Sequence, residues 1–170
     1  MRIEIKYGLL IGTGIVVWVF FEFLFGFHGQ RIAWYPLITN LAFLVIQLIG
    51  LFLALREKSI RSFNKHMPFW EGVKSGGIIS AISGLLLAGF MVIYFRWINP
   101  GWTDFMTSYA RQRIMTKTSD SLVIAQAADQ ARTYFGFHSF VFQSFLGMLI
   151  GGILISLIFC AFLKRKKIED

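Results

Sequence analysis

The sequence predicts an all-α integral membrane protein, a four-helix bundle with an amphipathic helical hairpin between its third and fourth spans. Four long apolar runs, at residues 7–27, 32–55, 72–97 and 137–163, predict the spans. Each run has enough apolar residues to cross a hydrocarbon core of about 30 Å, which needs about 20. Hydrophobic residues make up 56% of the chain and charged residues only 15%, and the mean hydropathy is +0.63. These values exclude a soluble domain of this length, so we expect a single membrane domain over residues 1–170.

The basic residues indicate what surrounds the spans. The formal net charge is +8, and the cations stand in short clusters beside the apolar runs. They lack aromatic interleaving on a polar face, so the pattern predicts contact with anionic lipid headgroups and no nucleic acid. Cys160 is the only cysteine and lies in the last run, so one chain builds neither a disulfide nor a cysteine metal site.

The first apolar run predicts an uncleaved span. Arg2 and Lys6 precede it, as basic residues precede the apolar part of a signal peptide. The run is nevertheless too long for a signal peptide, is interrupted by Glu22 and lacks a small-residue cleavage site.

The distribution of Lys and Arg predicts the orientation, since cytoplasmic loops are enriched in both. With the N-terminus cytoplasmic, eleven of the 17 basic residues fall on the cytoplasmic side. These are Arg2, Lys6, Arg56, Lys58, Arg61, Lys65, Lys74, Lys164, Arg165, Lys166 and Lys167. The count predicts a multi-pass protein of the bacterial cytoplasmic (inner) membrane with both termini inside. The basic loop 56–71 and the tail 164–170 are then cytoplasmic.

The segment between the third and fourth runs, residues 98–136, predicts an outer helical insert. Asn99-Pro100-Gly101 is a helix-start signal, and Thr118-Ser119-Asp120 is a second one. Apolar residues recur at helical spacing after each signal, which predicts two short amphipathic helices. A connector that lies on the membrane surface is the favoured interpretation, and a partner-binding element is the alternative.

Small residues predict where the helices pack, because close van der Waals contact holds helices together in lipid. The third run carries them at four-residue spacing, and further pairs occur in the first and fourth runs. The predicted packing residues are Gly72, Gly76, Ser80, Gly84, Ala88, Gly147 and Gly151, with Gly8, Gly12, Gly152, Ser156 and Cys160 beside them. Packing within one chain is favoured, although a homo-oligomer would use the same chemistry.

Glu22 is the candidate functional residue, because an ionisable group within a span is costly and faces the protein interior. It lies about 7 Å below the outer end of the first run at 1.5 Å per residue. Antiparallel helices bring other polar residues to its depth or near it, and we expect an intramembrane polar layer. Its members are Glu22, Asn40, Gln47, Tyr94, Arg96, His138 and Gln143. We expect Glu22 either to pair with Arg96 or to accept hydrogen bonds from Asn40 and Gln143. A purely structural role in joining helices is the favoured interpretation of Glu22.

No motif for catalysis or nucleotide binding is found in the sequence. His28 and His138 are expected at the outer surface, where they imitate a metal site with Glu22, but no His spacing within one helix supports such a site. We therefore expect no cofactor, no metal and no enzyme activity.

Four segments of the chain resemble one bacterial membrane-protein family. They are the opening residues 2–12, the stretch from Pro68 to Gly76, the pair Asn99-Pro100, and the glycine-rich last run that ends in Lys164 to Lys167. In these segments the chain resembles the family catalogued as domain of unknown function 4199, over nearly its whole length. The resemblance implies a four-span inner-membrane protein with an outer helical insert, and it implies no activity.

Three functional hypotheses follow. The first is a non-enzymatic accessory or scaffold subunit of a membrane or envelope system, with a membrane-protein partner or as a homo-oligomer. The second is a small transporter or channel component that uses the polar layer around Glu22. The third and weakest is an enzyme that acts on lipid headgroups through Glu22 and His138, for which the sequence establishes no geometry.

Overall fold

The computed structural model describes residues 2–64 and 66–165, with side chains up to residue 162. Within these ranges the chain is helical and has no strand. The helices are α1 (Ile3–Leu24), α2 (Tyr35–Phe63), α3 (Phe69–Ile93), α4 (Trp102–Met115), α5 (Ser121–Tyr134) and α6 (Phe137–Arg165). Four of them, α1, α2, α3 and α6, are long and apolar enough to cross a membrane. The predicted all-α class, the four long apolar helices and the two-helix insert are confirmed. The predicted tail 164–170 falls mostly outside the described residues, as does Lys65 of the predicted basic loop.

The chain forms two compact units. The first comprises residues 1–87 and 145–170, with α1, α2, most of α3 and most of α6. The second comprises residues 88–144, with the last turns of α3, all of α4 and α5, and the first turns of α6.

Helix α1 ends earlier than the first apolar run does. Gly26 has a φ of +75°, in the left-handed region that residues with a Cβ avoid. Its backbone N–H donates to the carbonyl of Phe23, and the N–H of Phe27 donates to that of Glu22. The helix therefore stops at Leu24, and the predicted span 7–27 is too long at its C-terminal end. A 3₁₀ turn, Ile32–Trp34, leads into α2.

Helix α2 continues beyond the second apolar run. The run ends at Leu55, but the helix ends at Phe63, where Asn64 adopts a left-handed φ of 45° as its C-cap. The charge of residues 56–63 predicts that they belong to the basic loop, but they are helical. Charged side chains such as Glu57 and Lys58 favour helix in an aqueous or interfacial setting, so charge marked the end of the apolar run rather than the end of the helix.

Close contacts at small residues join the four long helices of the first unit. A Cβ at Gly8 of α1 would lie 2.7 Å from Ile82 Cβ of α3. Gly50 of α2 packs against Ile11 of α1. Phe52 of α2 packs on Phe159 of α6, with their ring centroids 5.7 Å apart. Helix α1 therefore contacts α2 and α3, and α2 also contacts α6. The remaining contact, between α3 and α6, closes the set.

The α3–α6 interface is the tightest part of this unit. Every member of the small-residue row from Gly72 to Gly84 faces α6. The four pairs are Gly72 with Cys160, Gly76 with Ser156, Ser80 with Gly152, and Gly84 with Phe145 and Met148. Gly147, predicted to pack, is instead exposed, and a Cβ there would meet no described atom within 4 Å. None of the described residues therefore packs on Gly147, and the predicted packing of Gly147 within the chain is wrong.

The second unit is organised around Trp102, which is 1% exposed. Its ring meets the rings of Phe135 and Phe140 edge-on, at centroid distances of 6.2 and 6.4 Å. The hydroxyl of Thr103 donates to the carbonyl of Phe135 at 3.0 Å, which ties the start of α4 to the end of α5. Asp120 caps α5 by accepting from the backbone N–H of Leu122 at 2.8 Å. Both predicted helix-start signals therefore lie where helices begin.

Candidate functional site

Glu22 lies in the interior of the first unit and is only 1% exposed. Its Oε1 accepts two hydrogen bonds, from the indole N–H of Trp18 at 2.6 Å and from the hydroxyl of Thr39 at 2.7 Å. Both donors are neutral, so they stabilise the carboxylate without cancelling its charge. Trp18 lies four residues before Glu22 on the same face of α1, and Thr39 lies in the second turn of α2.

His28 lies against the second oxygen of the Glu22 side chain. Its Nε2 is 3.4 Å from Oε2 of Glu22, and its side chain is 4% exposed. The two groups form an ion pair when the imidazole is protonated. Tyr35 meets the imidazole edge-on at 5.0 Å between ring centroids. The surface position expected for His28 is therefore wrong, because the turn after α1 folds the imidazole inward onto Glu22.

We call Trp18, Glu22, His28 and Thr39 the Glu22 cluster. The sequence singled out Glu22 and placed His28 near it, but at the outer surface. Trp18 had a detectable signal, since it is an indole one helical turn from a carboxylate. Thr39 had none, because the rotation of α2 decides which of Thr39 and Asn40 faces α1. The inward position of His28 had none either, because it depends on the geometry of the turn after α1. In the described part of the chain Asn40 is exposed and makes no hydrogen bond with Glu22, so Thr39 occupies the position expected for Asn40.

Gln47 lies two turns further along α2 and faces α6. It is 5% exposed, and its Nε2 donates to the carbonyl of Met148 at 2.7 Å. A Cβ at Gly151 would lie 3.2 Å from its Oε1. Gln47 therefore joins α2 to α6 in the apolar interior, where a polar side chain needs a partner.

The other four predicted members of the polar layer belong to the second unit. Tyr94 is buried there, and its Oη accepts a hydrogen bond from Asn99 Nδ2 at 2.9 Å. Gln143 donates to the carbonyl of Tyr134 at 3.2 Å. Arg96 lies in a π-helical stretch, Tyr94–Ile98, and is exposed, as is His138. Their association with Glu22 stays a prediction.

A charged cluster lies at the opposite end of α1. Glu57 accepts hydrogen bonds from Lys6 Nζ at 2.9 Å and from the hydroxyl of Tyr7 at 2.7 Å. Lys58 donates to Glu4 at 2.6 Å, and the hydroxyl of Ser75 donates to the same oxygen at 3.0 Å. These bonds bring the start of α1, the late turns of α2 and the early turns of α3 to the same end of the unit.

Glu57 lies beyond the apolar part of α2, and its ionised form is favoured. The hydrogen bonds from Lys6 and then from Tyr7 lower the pKa of its carboxyl below its ordinary value. Arg61 adds a contact of 3.3 Å from Nε to Oε1. Glu57 is therefore ionised at neutral pH, and its charge is engaged by Lys6, Tyr7 and Arg61.

The chemistry available to the Glu22 cluster is limited to one carboxylate and one imidazole. In the described ranges, no three His, Cys, Asp or Glu side chains come together as metal ligands would. A carboxylate beside an imidazole stores or passes a proton, and it also joins structural elements by its hydrogen bonds.

The fold and this buried polar cluster define a class, a multi-pass α-helical membrane protein with four apolar helices. The chain belongs to the family described as "Protein of unknown function (DUF4199)", whose model matches residues 6–165. The predicted family is therefore confirmed. No curated protein and no solved structure matches the chain.

Proposed function

We propose that this protein is a non-enzymatic accessory or scaffold subunit that docks another membrane or envelope protein through its α4–α5 hairpin. The observation that carries the proposal is the apolar surface beside the connection between the two helices. Met115 at the end of α4 is 56% exposed and Leu122 at the start of α5 is 67% exposed. Val123 beside them is also exposed, as is Lys117 in the connection. Clustered apolar side chains at a helical tip, rimmed by charge, are typical of a protein contact.

The rigid construction of the hairpin supports a docking role. Trp102 and the Thr103–Phe135 hydrogen bond hold α4 and α5 together, so the tip is presented without needing a partner to order it. A preformed surface loses less conformational entropy on binding than a flexible loop does.

Close packing between α3 and α6 in the first unit favours a scaffold role over a transport role. Ser156 donates to the carbonyl of Gly152, and Ser83 donates to that of Ser80. Gly76 and Gly152 each touch a serine side chain so closely that a methyl group would overlap it. The side chains of Ser80 and Ser156 therefore fill the space between α3 and α6 and leave no room for a solute there.

The test is recovery of a partner from native membranes after brief cross-linking, followed by the mass of the gently purified complex. Leu122→Glu places a charge on the tip, and we expect it to abolish stoichiometric recovery of the partner. Gln130→Glu is the matched control, since it adds the same charge to an exposed site of α5 about 12 Å along the helix at 1.5 Å per residue. Deletion of residues 102–134 should also release the partner. Unchanged recovery with Leu122→Glu would show that the hairpin is a surface-lying connector.

A transporter or channel component is the second candidate, and the buried Glu22–His28 pair is the observation that favours it. Glu22 lies within a span and His28 is buried in the turn that follows it, and ionisable groups buried at such depths are a typical feature of proton pathways. Glu22→Gln separates the two functions: it abolishes pH-driven flux in proteoliposomes if the pair relays protons. A folded Glu22→Gln variant with wild-type flux removes Glu22 from any transport mechanism.

We also propose the bacterial cytoplasmic membrane as the location, with both termini inside. The bonds from Lys6 to Glu57 and from Lys58 to Glu4 support the orientation, because they place basic residues of α1 and α2 at the same end. Positive charge is enriched at cytoplasmic ends of spans.

A further inference from the structure

The charged end of the first unit contains a groove that none of the functions above uses. It lies between α1 and α2, has a volume of about 300 Å³, and is lined by Tyr7, Leu53, Arg56, Glu57, Ile60 and Arg61. That volume is at the lower end of the range for ligand sites, so the groove suits a headgroup rather than a whole lipid.

The spacing of the α2 residues makes this groove amphipathic. Leu53, Arg56, Glu57, Ile60 and Arg61 fall at the i, i+3, i+4, i+7 and i+8 positions of a single helix face. Leu53 is on the side of the apolar stretch and is 43% exposed, so it offers a surface for an acyl chain. The two arginines lie further along, beyond the last apolar residue of the stretch, Leu55.

The charges in and beside the groove favour an anion. Among the described residues, Glu57 is the one acidic residue that lines the groove, against Lys6, Arg56 and Arg61 in or beside it, which leaves an excess of two positive charges. Glu57 is already engaged by Lys6 and Tyr7. Arg56 forms no ion pair with any described residue. Arg61 uses only Nε on Glu57, and its side chain is 71% exposed, so its terminal nitrogens are open to a ligand.

The distance between the two arginines along the helix is similar to the thickness of one lipid headgroup layer. They are five residues apart, or about 7.5 Å along the helix at 1.5 Å per residue. Each headgroup layer of a bilayer is about 5–8 Å thick. Guanidinium groups bind phosphate oxygens through paired N–H donors. Both arginines can therefore bind the phosphate of one lipid, or one can bind that phosphate and the other an adjacent headgroup.

We propose that this groove binds one anionic phospholipid, with its phosphate between Arg56 and Arg61 and the start of an acyl chain on Leu53. A zwitterionic lipid fits less well because its ammonium group would meet the cationic excess. Free phosphate shares the anionic chemistry but gains nothing from Leu53.

The test uses purified full-length protein in mixed micelles that contain equal amounts of phosphatidylglycerol and phosphatidylcholine with the same acyl chains. Native mass spectrometry counts the lipids that stay bound. We expect one preferentially retained phosphatidylglycerol. The Arg56→Ala/Arg61→Ala variant should lose about twenty-five-fold in apparent affinity for it, at about fivefold for each arginine near a membrane surface.

The matched control is Arg2→Ala/Lys74→Ala, which removes the same charge from exposed residues outside the groove. We expect it to keep phosphatidylglycerol affinity within about twofold, because neither side chain lines the groove and both are exposed, so salt screens their charges. A second variant, Arg56→Lys/Arg61→Lys, keeps the charge but removes the paired donors, and should retain intermediate affinity. Thermal unfolding of each variant checks that the fold is intact.

Three results would overturn the proposal. Retention of phosphatidylglycerol by the double alanine variant would remove the groove as the site. Equal loss in the control would leave only diffuse attraction between the protein and anionic lipid. Binding of millimolar inorganic phosphate as tightly as phosphatidylglycerol, without lipid present, would identify a free anion as the ligand.

Discussion

Gly152→Ala tests whether close packing of α3 on α6 stabilises the fold. A Cβ at Gly152 would overlap Ser80 Oγ, and it would lie 2.5 Å from Ser80 Cβ and 2.8 Å from Gln47 Nε2. Ordinary van der Waals contacts are 3.4–4 Å, so the two helices must separate locally by about 1 Å. Overpacking of this kind costs about 1–3 kcal/mol.

Gly147→Ala is the control because it lies on the same helix, is exposed, and its Cβ would meet no described atom within 4 Å. Both substitutions gain the helix propensity of alanine over glycine, about 1 kcal/mol. The difference between the two variants therefore isolates the packing cost. For about 2 kcal/mol we expect Gly152→Ala to have a Tm about 4–8 °C below that of Gly147→Ala.

The assay is thermal unfolding in one detergent, followed by the helical circular dichroism signal. Ser80→Gly in the Gly152→Ala background should restore the Tm, since it removes the side chain with which the new methyl overlaps. Equal Tm values for Gly152→Ala and Gly147→Ala would refute the reasoning, as would failure of Ser80→Gly to restore stability.

Two further predictions concern the Glu22 cluster and the orientation. Glu22→Ala leaves the donors on Trp18 and Thr39 without their acceptor, and each unsatisfied buried donor costs about 1–3 kcal/mol, so folded yield should fall. Glu22→Gln keeps an acceptor oxygen and should recover most of that yield on size-exclusion chromatography; equal yields would deny the cluster a structural role. For the orientation, single cysteines at Lys74 and Lys117 in a Cys160→Ser background are exposed reporters. An impermeant thiol reagent added to intact cells should label only Lys117→Cys, and labelling of Lys74→Cys instead would invert the topology.

The fold was predictable to the extent that a single physical rule decides it. A hydrocarbon core sets the length of each apolar run, and that rule found all four long helices. Asp120 was predictable as a helix start because its capping chemistry is local to the sequence. The end of α2 was not, because the rule detects where apolar residues stop and Phe63 lies eight residues beyond that point.

The candidate site was less predictable, because it depends on how helices rotate about their axes. One residue of rotation is 100°, which separates Thr39, which reaches Glu22, from Asn40, which is exposed. His28 depends on the turn after α1, where the backbone of Gly26 directs the chain. The π-helical stretch at Tyr94–Ile98 had no sequence signal, since a single inserted residue changes no periodicity that a short window detects.

The residues of the Glu22 cluster are also close together in the sequence, so they are synthesised within a short time of one another. Both donors to Oε1 and the imidazole beside Oε2 lie between Trp18 and Thr39. A translating ribosome makes this stretch before any of α3, and chain segments that are close in sequence meet with little loss of entropy. The polar partners of Glu22 are therefore all present once α1 and α2 have been made. The Glu22 side chain can be hydrogen-bonded when this helical pair inserts into the bilayer, before α3 to α6 are synthesised.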